Sequence, residues 1–515
     1  MLLILAILLL LATPLTVIGL RRVRARVGAQ WLMAALGALL ALASVWLLRP
    51  RLPLTLTLLD WSANSPFLES PALLADLFSW PFALAIATLA LAVILTGVGR
   101  LEDLESGAWT GSLAVSALGI LAVLAGNPLT LVLAWTALDI LELVMLLTRV
   151  DDPSRRRSVV VYFSTNLLGT FLVLFADAQA RALGEPLTFA SIPAAVSPYH
   201  FLAAGLRLGV LPLHLPFVRE PDLRRGFGTV LRLVSPAASL TLLARAAAGG
   251  IPLAVEWPVI LLLALAALYA AIAWLRVPDE LVGRPFWILG FSALAFASAL
   301  YGAENAVLSW SLAGLFSGST LFLSARPGRS RLIIGIFSAI VFLGLPYTPM
   351  HAGLRLYLRF NGLHIPFLVA HALLAVGYIR FLLRPPDPPE ARPERWIRAV
   401  YPAGLLLLFA SHWAATFPQL TLPAPLWATL VILVLVLVLG GLGRRRISVP
   451  APLFTVLDRV FSFRWLATVL EWALQLISRA AAIANRLLEG EGGILWALVL
   501  LVFLITLLRQ FGGGG

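Results

Sequence analysis

Eight ionisable side chains stand inside stretches of sequence that are otherwise apolar: Asp139, Glu142, Asp177, Arg207, His214, Arg232, His371 and His412. An unpaired charge at mid-bilayer costs about 2.5–3.5 kcal/mol or more, so each of these is a candidate for function. Thr136, Asp139 and Glu142 follow one another at intervals of three and share one helix face. A buried carboxylate beside Arg207 would be charged, whereas one without a partner would tend to take up a proton, and a helix that offers both states can carry a proton relay. The same residues would serve equally as a structural ion pair that locks two helices. His214, His351, His371 and His412 are of the type that passes protons near neutral pH, or else makes a helix-to-helix hydrogen bond. Asp177, close to Arg181, is expected at an interface, and Glu304 in the short turn after the tenth span.

The elements that must position these groups follow from composition. The chain has 515 residues, 60% hydrophobic and 12% charged, with a mean hydropathy of +0.95, whereas a soluble domain is about one quarter charged. That excludes an ordinary soluble enzyme and predicts an all-α polytopic membrane protein. At roughly 20 apolar residues per span, candidate spans fall near 1–20, 31–48, 74–98, 107–125, 128–148, 159–180, 199–217, 227–248, 255–275, 285–302, 305–325, 332–350, 363–383, 399–416, 424–442 and 493–510. The apolar N-terminus has no basic region ahead of it and no clear cleavage site, so a retained first helix is expected rather than a signal peptide.

All 38 basic residues are arginine, and their net excess of +13 sits in short clusters between spans. This placement reports topology and gives no support for nucleic acid as a partner. Alternate loops hold 25 and 6 arginines, so the N-terminus is expected on the non-cytoplasmic side of the membrane. With no cysteine the chain offers no thiolate metal site or iron-sulfur ligand set. No metalloprotease, nucleophile-elbow or phosphate-loop motif occurs either.

Two spans are interrupted by proline pairs, Pro212 with Pro216 and Pro346 with Pro349, five spans apart. Proline deep in a span frees backbone carbonyls that lipid cannot satisfy. An odd separation gives the two breaks opposite orientation, as in inverted repeats whose discontinuous helices line an ion pathway; isolated membrane prolines are the plain alternative. The expected organisation is 1–106, N-terminal helices and a non-helical outer loop over Pro50 to Ala72; 107–248, a first five-helix repeat; 249–384, a second, inverted one. It continues with 385–449, the RPPDPPE linker and further helices; 450–490, a lateral amphipathic helix; and 491–515, a final span.

Asn127-Pro-Leu-Thr-Leu-Val-Leu-Ala-Trp135 with Thr136, Arg207-Leu-Gly-Val-Leu-Pro-Leu-His214, and Gly344-Leu-Pro-Tyr-Thr-Pro349 resemble three segments of one family. These are the antiporter-like membrane subunits of respiratory NADH:quinone oxidoreductase (complex I) and of Mrp-type cation/proton antiporters. The resemblance covers essentially the whole chain. It implies proton or sodium translocation through a central line of Glu, Lys and His, coupled to redox chemistry in partner subunits, with quinone and NADH handled by those partners and no cofactor bound here. Thr136 stands at the family's glutamate and Arg207 at its lysine. Ser317 falls near a lysine or histidine position, and Leu354 with Arg355 at the second broken helix's lysine. Arginine stays protonated and cannot release a proton as lysine does. The implied ion pathway is therefore Thr136, Asp139, Glu142, Arg207, His214, Arg232, Ser317 and His351, with Asp139 replacing the missing carboxylate and pairing with Arg207. The competing expectations are a non-pumping structural or coupling subunit of the same kind of complex, and a secondary transporter of another solute.

Overall fold

The computed structural model describes residues 2–58, 70–98, 106–148, 153–184, 187–214, 223–252, 256–325, 329–384 and 395–443, with six isolated positions between 472 and 482. Among them are fifteen α-helices: α1 (Leu2–Arg22), α2 (Val27–Leu48), α3 (Ser79–Gly97), α4 (Ser106–Val123), α5 (Pro128–Leu147), α6 (Pro153–Ala182), α7 (Ser197–Leu208) and α8 (Arg225–Ala248) come first. Then follow α9 (Glu256–Arg276), α10 (Arg284–Leu300), α11 (Glu304–Leu323), α12 (Arg329–Val341), α13 (Ile365–Leu383), α14 (Arg395–Thr416) and α15 (Leu426–Gly443). Ten helices are long and apolar enough to cross a membrane, and four shorter ones are apolar throughout. The chain is an all-α multi-pass membrane protein, and each of the first fifteen expected spans corresponds to one helix.

Two clusters fix opposite ends of the bundle. At one end Arg225, opening α8, donates to Glu280 Oε1 (2.7 Å) in the α9–α10 turn and to the Phe322 carbonyl (2.9 Å) closing α11. At the other, Arg245 near the end of α8 donates to Asp76 (3.2 Å), to the Ala125 carbonyl (2.7 Å) and to the Leu74 carbonyl (3.3 Å). Helices therefore alternate in direction, as the arginine pattern requires. In the five-helix stretches 107–248 and 249–384 the first and last helices pack together, α4 on α8 and α9 on α13.

Several expected boundaries move. The outer loop contains a hairpin, β1 (Leu54–Thr57) paired antiparallel with β2 (Ala72–Ala75), Leu54 opposite Ala75. The alternation Leu-Thr-Leu-Thr is a strand pattern. This hairpin takes residues expected in the third span, so α3 starts at Ser79, where Asp76 Oδ1 accepts from the Phe78 and Ser79 amides. The sixth helix starts six residues early because its Arg155–Arg157 turn continues the helix outward. Glu304 is the first residue of α11 rather than part of a turn, an acidic group at the positive end of a helix dipole.

A second compact unit spans Val449–Gly515. Its six described residues, Trp472, Gln475, Leu476, Ser478, Arg479 and Ala482, are helical and exposed. The remainder of the expected lateral helix, the last span, the RPPDPPE linker and Pro216 lie outside the described residues.

Candidate functional site

Asn127 and Pro128 begin α5 in the manner their types dictate. Asn127 Oδ1 accepts from the Thr130 amide (3.0 Å) and hydroxyl (2.7 Å), and proline occupies the first helical position. Asn127 Nδ2 also donates to the Ser70 carbonyl (2.8 Å), and Thr130 Oγ1 accepts from the Ala72 amide (2.8 Å). The motif's asparagine thus ties α5 to the outer hairpin. Three turns along α5, Asp139 meets Arg207 of α7 in a bidentate pair, Nη1 to Oδ2 and Nη2 to Oδ1, both 2.7 Å. Their side chains are 4% and 1% exposed. A planar guanidinium matched to a carboxylate is the strong form of this bond.

Three further groups hold the pair. Arg207 Nη1 donates to the Asn166 carbonyl (3.2 Å), Asn166 Nδ2 donates to Asp139 Oδ1 (3.2 Å), and the guanidinium lies 4.2 Å from the Trp135 ring centroid. Gly169 of α6 makes room: a Cβ there would stand 2.8 Å from Arg207 Cγ and 3.0 Å from the Ala203 carbonyl oxygen. One turn beyond Asp139, Glu142 is fully buried and accepts from Tyr162 Oη at 2.9 Å, while its Oε1 has no hydrogen-bond partner. Asp139, Arg207 and Arg232 of α8 all lie within electrostatic reach of this carboxyl. Thr136 is half-buried on the same helix face and makes none of these contacts. Tyr162, Asn166 and Gly169 escaped the sequence reading because only folding sets α6 against α5 and α7; their three- and four-residue spacing was the available signal.

Both breaks occur where expected in order, but upstream of the prolines. The seventh helix ends at Leu208 because Gly209 turns left-handed (φ 73°), and the twelfth ends at Val341, three residues before Gly344 (φ 64°). Left-handed backbone favours glycine and ends a helix by itself. Beyond Gly209, His214 Nδ1 donates to the Pro212 carbonyl (2.7 Å). In the second break the freed carbonyls are taken by side chains: His371 Nε2 donates to Phe342 O (2.8 Å), His351 Nδ1 to Gly344 O (3.0 Å) and Ser309 Oγ to Pro349 O (2.8 Å). A carbonyl only accepts, so these histidines act here as N–H donors. Gly344→Ala should lower stability by about 1–2 kcal/mol from left-handed strain alone, and more because its Cβ would meet Leu354 Cδ1 at 2.7 Å. A lower Tm in thermal unfolding checks this.

The remaining expected site residues do not join the pair. Arg355 is turned to the Pro423 carbonyl (3.2 Å), and Leu354 is buried. Ser317 is buried in α11 with no partner for its hydroxyl, beside Phe316, which stacks on His412 at 5.1 Å. Asp177 bonds Arg181 one turn away (2.8 Å). The interior of the second half is aromatic. Trp287 sits 5.1 Å from Trp274, 4.4 Å from Phe291, and 5.6 Å from both Phe342 and Tyr378, ring centre to ring centre. The described buried carboxylates and arginines of α9–α13 and their turns, Glu280 and Arg284, stand at helix ends.

No protein-family model and no curated protein matches the chain. Solved structures do. A chain of the Mrp complex from Dietzia sp. matches with TM-score 0.70 at 16% identity over 99% of this chain, which spans 62% of that chain's length. A chain of the membrane-bound sulfane sulfur reductase, an archaeal respiratory membrane complex, matches with TM-score 0.65 at 15% identity, over 99% of this chain and all of that one. Respiratory complex I from Thermus thermophilus contributes a chain with TM-score 0.58 at 19% identity, over 81% and 98%. This multi-pass membrane protein therefore shares its fold with those chains of the Mrp complex, the sulfane sulfur reductase and complex I.

Proposed function

We propose that the chain is a membrane subunit of a multi-subunit assembly of the Mrp and complex I kind, and that it braces and couples neighbouring subunits rather than carrying ions along a path of its own. One observation carries this reading: its buried mid-span ion pair is locked into a five-group cluster in the first half, while the described second half buries no carboxylate or arginine in mid-helix and packs an aromatic cluster around Trp287. Arginine at the centre of the pair holds a charge permanently and relays none. The two glycine-broken helices five apart, and the matched packing of α4 on α8 and α9 on α13, support a pair of inverted repeats over 107–248 and 249–384. The arginine bias supports an N-terminus on the non-cytoplasmic side, and this reading sets the chain in a bacterial inner membrane. Quinone and NADH chemistry belongs, in this reading, to partner subunits.

A second reading, proton or sodium conduction, is favoured by Glu142, whose second oxygen is buried without a partner beside Tyr162. Flux in proteoliposomes of the purified complex separates the two. Under the bracing reading, Glu142→Gln and the pair-deleted Asp139→Leu/Arg207→Leu leave flux per assembled complex unchanged. Flux lost with assembly intact would overturn it in favour of conduction.

A further inference from the structure

At the arginine-rich end of the bundle, α9 and α13 finish side by side. Arg380 donates to the Leu275 and Val277 carbonyls and Arg384 to the Pro278 carbonyl (2.9 Å). Leu275 stands in the last turn of α9, where a helix leaves carbonyls unsatisfied and its dipole favours a cation, and Val277 and Pro278 follow directly after the helix end. Two guanidinium groups are thus held in place by backbone. A guanidinium has five N–H donors, and the single bond from Arg384 leaves most of its fork directed elsewhere. Pro278, Arg380, Phe381, Leu383 and Arg384 line a cleft of about 480 Å³ between the two helix ends.

The lining holds no carboxylate. Asp279, next in sequence, is turned to the Leu281 and Val282 amides (2.8 and 2.9 Å), and Glu280 to Arg225. Among the described residues the site therefore combines two guanidinium groups, no lining carboxylate and an apolar wall, with Phe381 buried against Arg380 and Leu383 64% exposed. Both helices are membrane-length, so their ends lie at headgroup depth. We propose that this cleft binds the phosphate headgroup of an anionic phospholipid, the two arginines gripping phosphate oxygens and Leu383 meeting the first methylenes of the acyl chain. Planar guanidinium forks match phosphate, and basic pockets between helix ends suit anionic headgroups.

The test uses the full-length chain in its complex, delipidated in detergent and titrated with phosphatidylglycerol, phosphatidylcholine or inorganic phosphate while bound lipid is counted by native mass spectrometry. Phosphatidylglycerol should bind more tightly than phosphatidylcholine, and Arg384→Gln should weaken it by about fivefold, with a further loss in Arg380→Gln/Arg384→Gln. Arg359→Gln, an exposed change on another loop, should leave it unaltered. Equal binding by wild type and Arg384→Gln would overturn the proposal, and so would inorganic phosphate displacing the lipid at equal concentration, which would make this a soluble-phosphate site. Arg384 makes a single 2.9 Å bond from an exposed position, so its single variant stays informative if the double variant misfolds.

Discussion

Arg207→Leu is expected to lower the stability of the folded chain by about 3–5 kcal/mol, because it strands Asp139 as a buried charge. The carboxylate would keep only Asn166 Nδ2 as a close donor, at 3.2 Å, having lost two bonds of 2.7 Å. The Asn166 carbonyl and the Trp135 ring face would lose their cationic partner as well. Asp139→Leu should be similarly costly for the mirrored reason. The double replacement should recover much of the loss, since two apolar side chains of that size suit a site walled by helices. A double-mutant cycle by thermal unfolding in nanodiscs reads this directly. Additive losses would mean that the two residues are stabilised separately and that the pair is no lock.

Trp287→Ala should cost about 3–5 kcal/mol, the range for deleting a large aromatic from a close-packed core. Trp287 is fully buried, touches the rings of Trp274, Phe291, Phe342 and Tyr378, and donates its indole N–H to the Gly314 carbonyl at 2.8 Å. Gly318 leaves no slack opposite it, since a Cβ there would stand 2.5 Å from the Trp287 indole nitrogen. Trp257→Ala, at a residue 65% exposed, should change stability by less than about 0.5 kcal/mol. Unfolding midpoints of the two variants under the same conditions check the contrast, and a Trp287→Ala protein as stable as wild type would mean that the second half is loosely packed.

The number and order of helices were legible in the residues, because a bilayer demands about 20 apolar residues per crossing and marks each loop by its arginines. The two broken helices were legible through Pro212 and Pro346, although left-handed glycines just before both prolines take part in the breaks, and the pairing of Asp139 with Arg207 was expected from the family resemblance and from the one-turn spacing between Thr136 and Asp139. Such information is local, or forced by solvent. The hairpin at Leu54–Ala75 was not legible, since its partner strands are well separated in sequence and β2 is held by the backbone between α4 and α5 rather than by its own pattern. Nor were the roles of His351 and His371. A histidine in an apolar run reads as a proton carrier or as a hydrogen-bond donor with equal ease, and only the exposed carbonyls of Phe342 and Gly344 decide for the second. By itself the sequence determined which groups had to be buried and the order of the described helices. Tertiary structure alone decided which groups surround the pair, because Asn166, 41 residues from Arg207, and Tyr162, 20 residues from Glu142, are brought to it by the packing of whole helices and not by any local preference.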